Sequence, residues 1–231
     1  RRSKFLIFEI EKTYQMLVHL GMTGKFVFTD NKDNKFKTSF YYFLNYKKDR
    51  KHDRVIFFLN KKQKLIYNDV RKFGSIHITQ KINTMFLLKD LGPEPLSDKF
   101  DDQYLFEISR KRSCSIKELI MNQKIVVGIG NIYANEILFD AKVRPKRRGK
   151  RILKKEAIKL TESSKLILNK AIKAGGTTLQ DFLSPEGNKG YFKIDLKVYG
   201  RNEEYCDVCK SSIKLIKQNQ RATYYCPMCQ R

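Results

Sequence analysis

Four of the five cysteines constrain the fold more than any other feature. Cys206 and Cys209 form one C-x2-C pair, Cys226 and Cys229 form a second, and sixteen residues separate the pairs. Each pair suits a tight turn that presents two sulfurs to one ion. Four thiolates on paired turns make a closed tetrahedral Zn2+ site of the structural kind. Two disulfides in a secreted domain are the competing explanation, and the paired spacing argues against them. The intervening segments Ser212–Ile216 and Ala222–Tyr225 read as two short strands. Cys114 is left over and reads as a buried or helix-flanking thiol.

The charge points to a polyanion. The chain of 231 residues carries 48 Lys and Arg against 24 Asp and Glu, a formal charge of +24. Such an excess favours nucleic acid first and an acidic membrane surface second. Residues 144–155 hold eight bases and no acid, although a run of this kind is often only a solvated surface. No apolar run approaches the roughly 18 residues of a membrane-spanning helix. The opening Arg1-Arg2-Ser3-Lys4-Phe5-Leu6-Ile7-Phe8 is too short an apolar stretch for a signal peptide and runs straight into Glu9.

Period-two patterning dominates residues 1–80. Beyond the opening segment, strands are predicted at Tyr14–His19, Lys25–Thr29, Ser39–Asn45, Arg54–Leu59, Lys64–Tyr67 and Ser75–Thr79, separated by Gly, Asn and Asp. This is an antiparallel sandwich or barrel, or part of one, with a polar loop at Asp30–Lys37. Leu91-Gly92-Pro93-Glu94-Pro95-Leu96 reads as a linker. Ser97 or Asp98 is placed to cap a helix, and helical periodicity then runs to Ile120 with a break near Lys111–Ser113. Val126–Arg144 continues as an apolar helix after Gly128-Ile129-Gly130. Ile152–Ala174 is a further amphipathic helix closed by Gly175-Gly176. The two glycines at 128 and 130 lack the third glycine and the flanking strand of a dinucleotide loop. They read better as a tight turn whose amides face a phosphate, with Asn131 adding a side-chain donor.

The blocks RRSKFLIFEI, HLGMTGKF, HDRVIFF, DVRKFGSIHI, LGPEPLS, the stretch IKELIMNQKIVVGIGNIYANEILFDAKVRP, GGTTLQDF, GYFKIDLKVYGR and QRATYYCPMCQ occur in one order along essentially the whole chain. In this the chain resembles the bacterial formamidopyrimidine-DNA glycosylases. The resemblance implies an α+β multidomain fold. Its parts are an incomplete N-terminal antiparallel β-sandwich (1–90), a linker (91–97), a helix–two-turns–helix DNA-binding domain (98–190) and a C-terminal four-cysteine zinc-finger β-hairpin (191–231). It implies a bifunctional glycosylase and lyase of base-excision repair, removing 8-oxoguanine and formamidopyrimidines through a Schiff base with β,δ-elimination. The implied cofactor is one structural Zn2+. The implied partner is double-stranded DNA with an oxidised base or an abasic site, met by a monomer in the bacterial cytoplasm at the nucleoid. The family's N-terminal proline and glutamate have no counterpart, so the chain is expected to be N-terminally truncated and to lack normal glycosylase activity.

Residue roles follow from the same resemblance. Lys4 matches the strand lysine near the reacting sugar, tied to base release and proton transfer. Arg221 matches the zinc-finger arginine on the phosphate beside the lesion, tied to δ-elimination. Met22, Arg71 and Phe73 match the trio that fills the void left by a flipped base: a flexible plug, a donor to the orphan cytosine and a stacking wedge. His52, Arg71, Arg112 and Asn131 match DNA-contacting positions. Thr177, Thr178, Lys189, Gly190 and Tyr191 fall in the loop that closes over the flipped base, and Glu136 reads as a buried structural acid organising the helix turns. Considered without the resemblance, Lys4, Arg71 and Arg221 would be ordinary surface charges and Met22 and Phe73 ordinary core, although the flanking Gly21, Gly24 and Gly74 suggest loop tips. The alternatives are an endonuclease VIII-like glycosylase for oxidised pyrimidines, a non-catalytic damaged-DNA binder, and a ribosomal or transcription zinc-ribbon protein. The last explains the charge and cysteines but none of the nine blocks.

Overall fold

A computed structural model describes residues 1–10, 13–30, 50–60, 62–80, 86–174 and 196–231. These residues fall into two compact units, one built from strands and one from helices with a terminal hairpin.

The strand unit consists of two three-stranded antiparallel sheets. β1 (Phe5–Ile10), β2 (Tyr14–His19) and β6 (Ser75–Thr79) form the first in the order β1-β2-β6; β3 (Lys25–Asp30), β4 (Asp53–Phe58) and β5 (Gln63–Asn68) form the second in the order β3-β5-β4. The strands predicted at 14–19 and 75–79 match, and the others shift at their ends by a residue or two. Alternation explains the face that each strand buries. Leu6, Phe8 and Ile10 of β1 pack with Met16 and Val18 of β2, and with Phe26, Phe57 and Tyr67 of the second sheet. Phe8 meets Phe26 edge to face with ring centroids 5.5 Å apart, so the two sheets face each other as a sandwich. A bulge between Asp53 and Val55 shifts the β4–β5 register and brings Arg54 Nε within 2.9 Å of the Asp69 carbonyl. The strand predicted at Ser39–Asn45 lies outside the described residues, as does most of the Asp30–Lys37 loop.

The helical unit contains α1 (Phe86–Lys89), α2 (Asp102–Arg110), α3 (Ile116–Met121), α4 (Asn131–Asp140) and α5 (Lys154–Lys173). The hairpin strands β7 (Lys214–Gln218) and β8 (Arg221–Tyr225) belong to the same unit. Asp101, not Ser97 or Asp98, caps α2, accepting from the Tyr104 amide at 2.7 Å; the Ser97 hydroxyl instead donates to the Glu94 carbonyl. Ser115 and Glu118 close a reciprocal capping box on α3. Asn122 ends α3, and its carbonyl accepts from both Ile125 and Val126. This doubles the chain back on itself before Gly130 opens α4. The apolar helix predicted to run to Arg144 therefore stops at Asp140. One core unites the helices, with Phe100, Leu105, Ile116, Leu119, Ile120, Ile129, Ile137 and Leu138 fully or almost fully buried. Among the described residues no helix is long and apolar enough to cross a membrane.

The proline-rich segment is hydrogen bonded into the fold. The Gly92 amide donates to the Gln123 carbonyl at 2.8 Å, and the Val127 amide donates to the Pro93 carbonyl at 3.0 Å. Residues 92 and 93 are thus stitched to the turn between α3 and α4. A Cβ at Gly92 would overlap the Ile125 carbonyl and the Val126 nitrogen, and backbone atoms cannot swing aside. Gly92→Ala is expected to destabilise the protein by about 1–3 kcal/mol, read as a lower urea midpoint; an unchanged midpoint would contradict this packing.

Candidate nucleic-acid interface and metal centre

The metal centre is built by two chain reversals. Lys210, with φ of 61°, donates its amide to the Cys206 carbonyl at 2.9 Å. The Gln230 amide donates to the Cys226 carbonyl at 3.1 Å, and the Gln230 side chain accepts from the Cys226 amide. The sulfurs of Cys206, Cys209, Cys226 and Cys229 lie within 4.8 Å of one another. Sγ of Cys206 and Cys229 are 3.9 Å apart and those of Cys209 and Cys226 are 3.3 Å apart. Zinc–sulfur bonds of about 2.3 Å in a tetrahedron need sulfurs about 3.8 Å apart, so the donor set fits one Zn2+. No disulfide joins them. The local core is small, comprising Phe139, Val198, Cys206, Ile213 and Cys226. The ion these four thiolates hold therefore serves folding, with no open position for catalysis.

Buried polar side chains fasten this hairpin to the helices. Lys117 of α3 is 1% exposed, and its Nζ donates to the Ala222 carbonyl at 2.9 Å and to Thr223 Oγ1 at 2.7 Å. Asn131 Nδ2 donates to the same carbonyl at 3.0 Å, and Asn135 Oδ1 accepts from the Tyr224 amide at 2.8 Å. Glu136 accepts three amides, from Lys197, Val198 and Tyr199, at 2.8, 3.0 and 2.8 Å. Glu136 is structural, as expected, but it organises the segment leading to the metal rather than the turns between helices. The sequence offered no signal for Lys117, which looked like any helix lysine.

Arg221 is set at the hairpin tip. Asn219 and Gln220 both have positive φ, 44° and 59°, the geometry of a two-residue turn that matches strand twist. The Asn219 side chain donates to Glu118, and Gln218 Nε2 donates to Ser115 Oγ at 3.2 Å. The exposed Arg221 side chain thereby overhangs an open cleft of about 200 Å³ that Lys117, Asn122 and Gln218 also line. Such a tip, cationic and rigid, is suited to a phosphate.

Other sequence candidates fare differently. The Asn131 amide group is committed to Ala222, and its Oδ1 has no hydrogen-bond partner among the described residues. The Gly128 amide donates to Gln123 Oε1 at 2.8 Å. The Gly128 amide and the Asn131 side chain thus also brace the fold. Arg112 is exposed beyond the end of α2, and its carbonyl accepts from Lys150. Cys114 is exposed and flanks α3, so it is not a core thiol. In the basic run, Arg144 lies 5.8 Å from the Tyr225 ring centroid and donates to the Pro227 carbonyl, while Arg147 pairs with Glu156. Part of that run holds the hairpin rather than merely facing solvent. Thr177, Thr178, Lys189, Gly190 and Tyr191 lie outside the described residues.

The strand unit presents its own candidates on two loops. Met22 is 63% and Phe73 65% exposed. Arg71 Nη1 lies 3.5 Å from Met22 Sδ. The trio expected to fill a void in the duplex is thus brought together. Gly21 has φ of 66°, and a Cβ there would sit 2.8 Å from the Phe73 carbonyl carbon and the Gly74 nitrogen, so the loops close directly on each other. Behind them Asp69 is almost fully buried. It accepts from Thr23 Oγ1 at 2.5 Å, the Arg71 amide at 3.2 Å, the Gly74 amide at 2.9 Å and the Tyr67 hydroxyl at 3.3 Å. Burial works to raise the Asp69 carboxyl, but these four hydrogen bonds outweigh it and hold the group below its usual value. Burial and the Asp69 charge push the Tyr67 phenol up to about 12. The His52 carbonyl accepts from the Asp69 amide at 3.0 Å, which ties His52 to the same cluster. Lys4, expected on a strand, is exposed in the turn before β1, and burial together with its charge lowers the pKa of His19.

Two predictions test the helical unit. Cys206→Ser is expected to lose zinc and duplex binding together, because the tip bearing Arg221 depends on the metal; stoichiometric zinc in the variant would refute this. Burial and the neighbouring Arg221 lower Lys117 to about 8 from 10.5. The unfolded chain then holds the extra proton between those values, so stability rises with pH across that window. Urea midpoints of wild type are expected to climb relative to those of Lys117→Met between about pH 8 and 10, and parallel curves would contradict the buried amine.

Comparison with known proteins agrees with this architecture. Residues 1–76 match the formamidopyrimidine-DNA glycosylase N-terminal domain, residues 91–183 its H2TH domain, and residues 195–231 the zinc finger found in FPG and IleRS. The formamidopyrimidine-DNA glycosylase of Histophilus somni (strain 129Pt) is 42% identical over 233 residues, and that of Wolbachia pipientis from Culex pipiens is 39% identical over 230. Each alignment covers all of this chain and 80% of the relative. Among solved structures, Lactococcus lactis Fpg in complex with abasic-site DNA superposes with a TM-score of 0.83 at 34% identity. MutM (FPG) from Thermus thermophilus superposes with a TM-score of 0.81 at 32% identity. Both cover all of this chain and 80% of the other. With every part in family order and identity sustained from end to end, the chain belongs to the formamidopyrimidine-DNA glycosylase family.

Proposed function

We propose that the protein acts in base-excision repair as a DNA glycosylase with lyase activity on oxidised purines, 8-oxoguanine and formamidopyrimidines, in duplex DNA. The observation that carries this reading is the exposed trio on the paired loops. Enzymes that work on a base must first take it out of the stack, and the hole has to be filled. Met22 and Phe73 supply apolar bodies for that purpose at the loop tips, and Arg71 supplies paired N–H donors that suit a cytosine left without its partner. A transcription zinc ribbon has no use for such loops.

The remaining candidates take roles consistent with this reaction. Arg221 holds a phosphate near the lesion and supports δ-elimination, while Arg112 and His52 contact the flanking backbone. Asn131 contacts the backbone as well, at the start of α4, while its side-chain amide braces the hairpin carbonyl beside Arg221. Lys4 assists base release as a proton donor at the reacting sugar. The zinc ion is structural and holds Arg221 in place. A cytoplasmic, nucleoid-associated site of action follows from the substrate.

The test compares a duplex carrying a tetrahydrofuran abasic site opposite cytosine with the same duplex undamaged. At least a tenfold preference for the abasic site is expected, a difference of about 1.4 kcal/mol. Equal affinities would overturn the reading. Strand scission at 8-oxoguanine by the protein expressed from its complete reading frame then separates an enzyme from a damage binder, since a binder leaves the strand intact.

A further inference from the structure

The two loops that carry Met22, Arg71 and Phe73 are far apart in sequence, yet a duplex would have to meet them as one rigid body. Their exposed side does little to hold them in register: the polar contact between them there is the weak 3.5 Å approach of Arg71 to the Met22 sulfur. The strong bonds lie behind, on a single buried carboxylate. Asp69 Oδ1 accepts from Thr23 of the first loop and from the Arg71 amide of the second, while Oδ2 accepts from Gly74 at the far end of the second loop. Thr23 Oγ1 also accepts from the Arg71 amide at 3.1 Å. Thr23, Asp69 and Arg71 thus form a closed triangle of hydrogen bonds between segments distant in the chain. Tyr67 supports the carboxylate from the strand below.

We infer that Asp69 is a positioning residue for lesion recognition, and that its bond to Thr23 locks the two loops so that plug, wedge and arginine enter the duplex together. The inference rests on the function proposed above. Asp69 itself, almost fully buried, touches no DNA. It acts through Thr23, Arg71 and Gly74, and the property it governs is discrimination rather than general affinity. A carboxylate is required because one group must accept four donors on two oxygens. An amide in its place would turn a donor toward either Gly74 or the Thr23–Arg71 pair, and one side of the clasp would open.

Three variants test this. Thr23→Val removes the hydroxyl at constant shape, Thr23→Ser keeps it, and Asp69→Asn opens the clasp. Dissociation constants are measured for the tetrahydrofuran duplex with cytosine or adenine opposite the site, and for undamaged duplex. Thr23→Val is expected to lose about tenfold in abasic-site preference and most of the cytosine-over-adenine ratio, with undamaged duplex bound as before. Thr23→Ser should behave as wild type, and Asp69→Asn should lose at least as much as Thr23→Val. Unchanged preference in Thr23→Val, or an equal loss on undamaged duplex, would overturn the inference. If wild type itself shows no abasic-site preference, the functional reading fails, and amide hydrogen exchange in the free protein judges the clasp separately. Faster exchange at Arg71 and Gly74 in Thr23→Val but not in Thr23→Ser supports it, and equal exchange overturns it.

Discussion

A buried polar group that satisfies the backbone of an otherwise coreless segment is the interaction on which both candidate surfaces depend. The metal hairpin buries few apolar side chains, too little to order its residues by hydrophobic burial alone. The four sulfurs supply one fixed point. The others are Glu136, which accepts three consecutive amides, and Lys117, which donates to the Ala222 carbonyl and the Thr223 hydroxyl. Removing one partner from such a set leaves a buried charge or amide unpaired, which costs more than the bond contributed. The hairpin is therefore held in one place or not held at all, and an arginine at its tip inherits that definition.

The loop pair of the strand unit repeats the logic with a different carboxylate. Asp69 does for Thr23, Arg71 and Gly74 what Glu136 does for residues 197–199. In both, an acid that cannot leave the interior fixes a stretch of chain whose outward side chains are free to be unfavourable in water. Met22 and Phe73 gain nothing for the fold by standing 63% and 65% exposed. Their exposure is tolerated because the loop backbone is ordered from beneath, by Asp69 and Thr23, and not by the apolar side chains themselves.

Much of this architecture was legible in the sequence, and the failures have physical causes. The strands at 14–19 and 75–79 were located to the residue, with Gly21 and Gly74 punctuating the chain beside them. The C-x2-C pairs announced the metal because ligand spacing is local. Proline and glycine exclude helix at 92 and 93, but they do not tell whether the backbone is solvated or hydrogen bonded to Gln123 and Val127. At the Gly128–Asn131 turn, likewise, a donor's type is written in the sequence and its partner, here Gln123 or Ala222, is not. Lys117 and Asp69 were invisible altogether. Their roles arise from chain segments far away in the sequence, which no local pattern records. For Met22 and Phe73 the flanking glycines suggested loop tips, but the joint role of the trio with Arg71 came only through family resemblance, because an apolar residue carries no local sign of what it will meet.

The charge shows why affinity and discrimination have to be separate devices here. A net +24 attracts any duplex, and counterion release makes that attraction large and indifferent to sequence or damage. Several of the cations are in fact engaged by groups of the protein itself: Arg147 with Glu156, Arg201 with Glu204 and Asp207, Arg144 with the hairpin's carbonyl and ring. What remains exposed still draws phosphate from all sides, so it cannot by itself tell a damaged site from an intact one. Selectivity must come from groups whose contact is possible only where the stack is broken. Those groups work only if their spacing is fixed before the DNA arrives, because ordering two loops on contact would consume the small free-energy difference that distinguishes the lesion. A buried carboxylate bridging the loops meets that requirement without adding any charge to the surface.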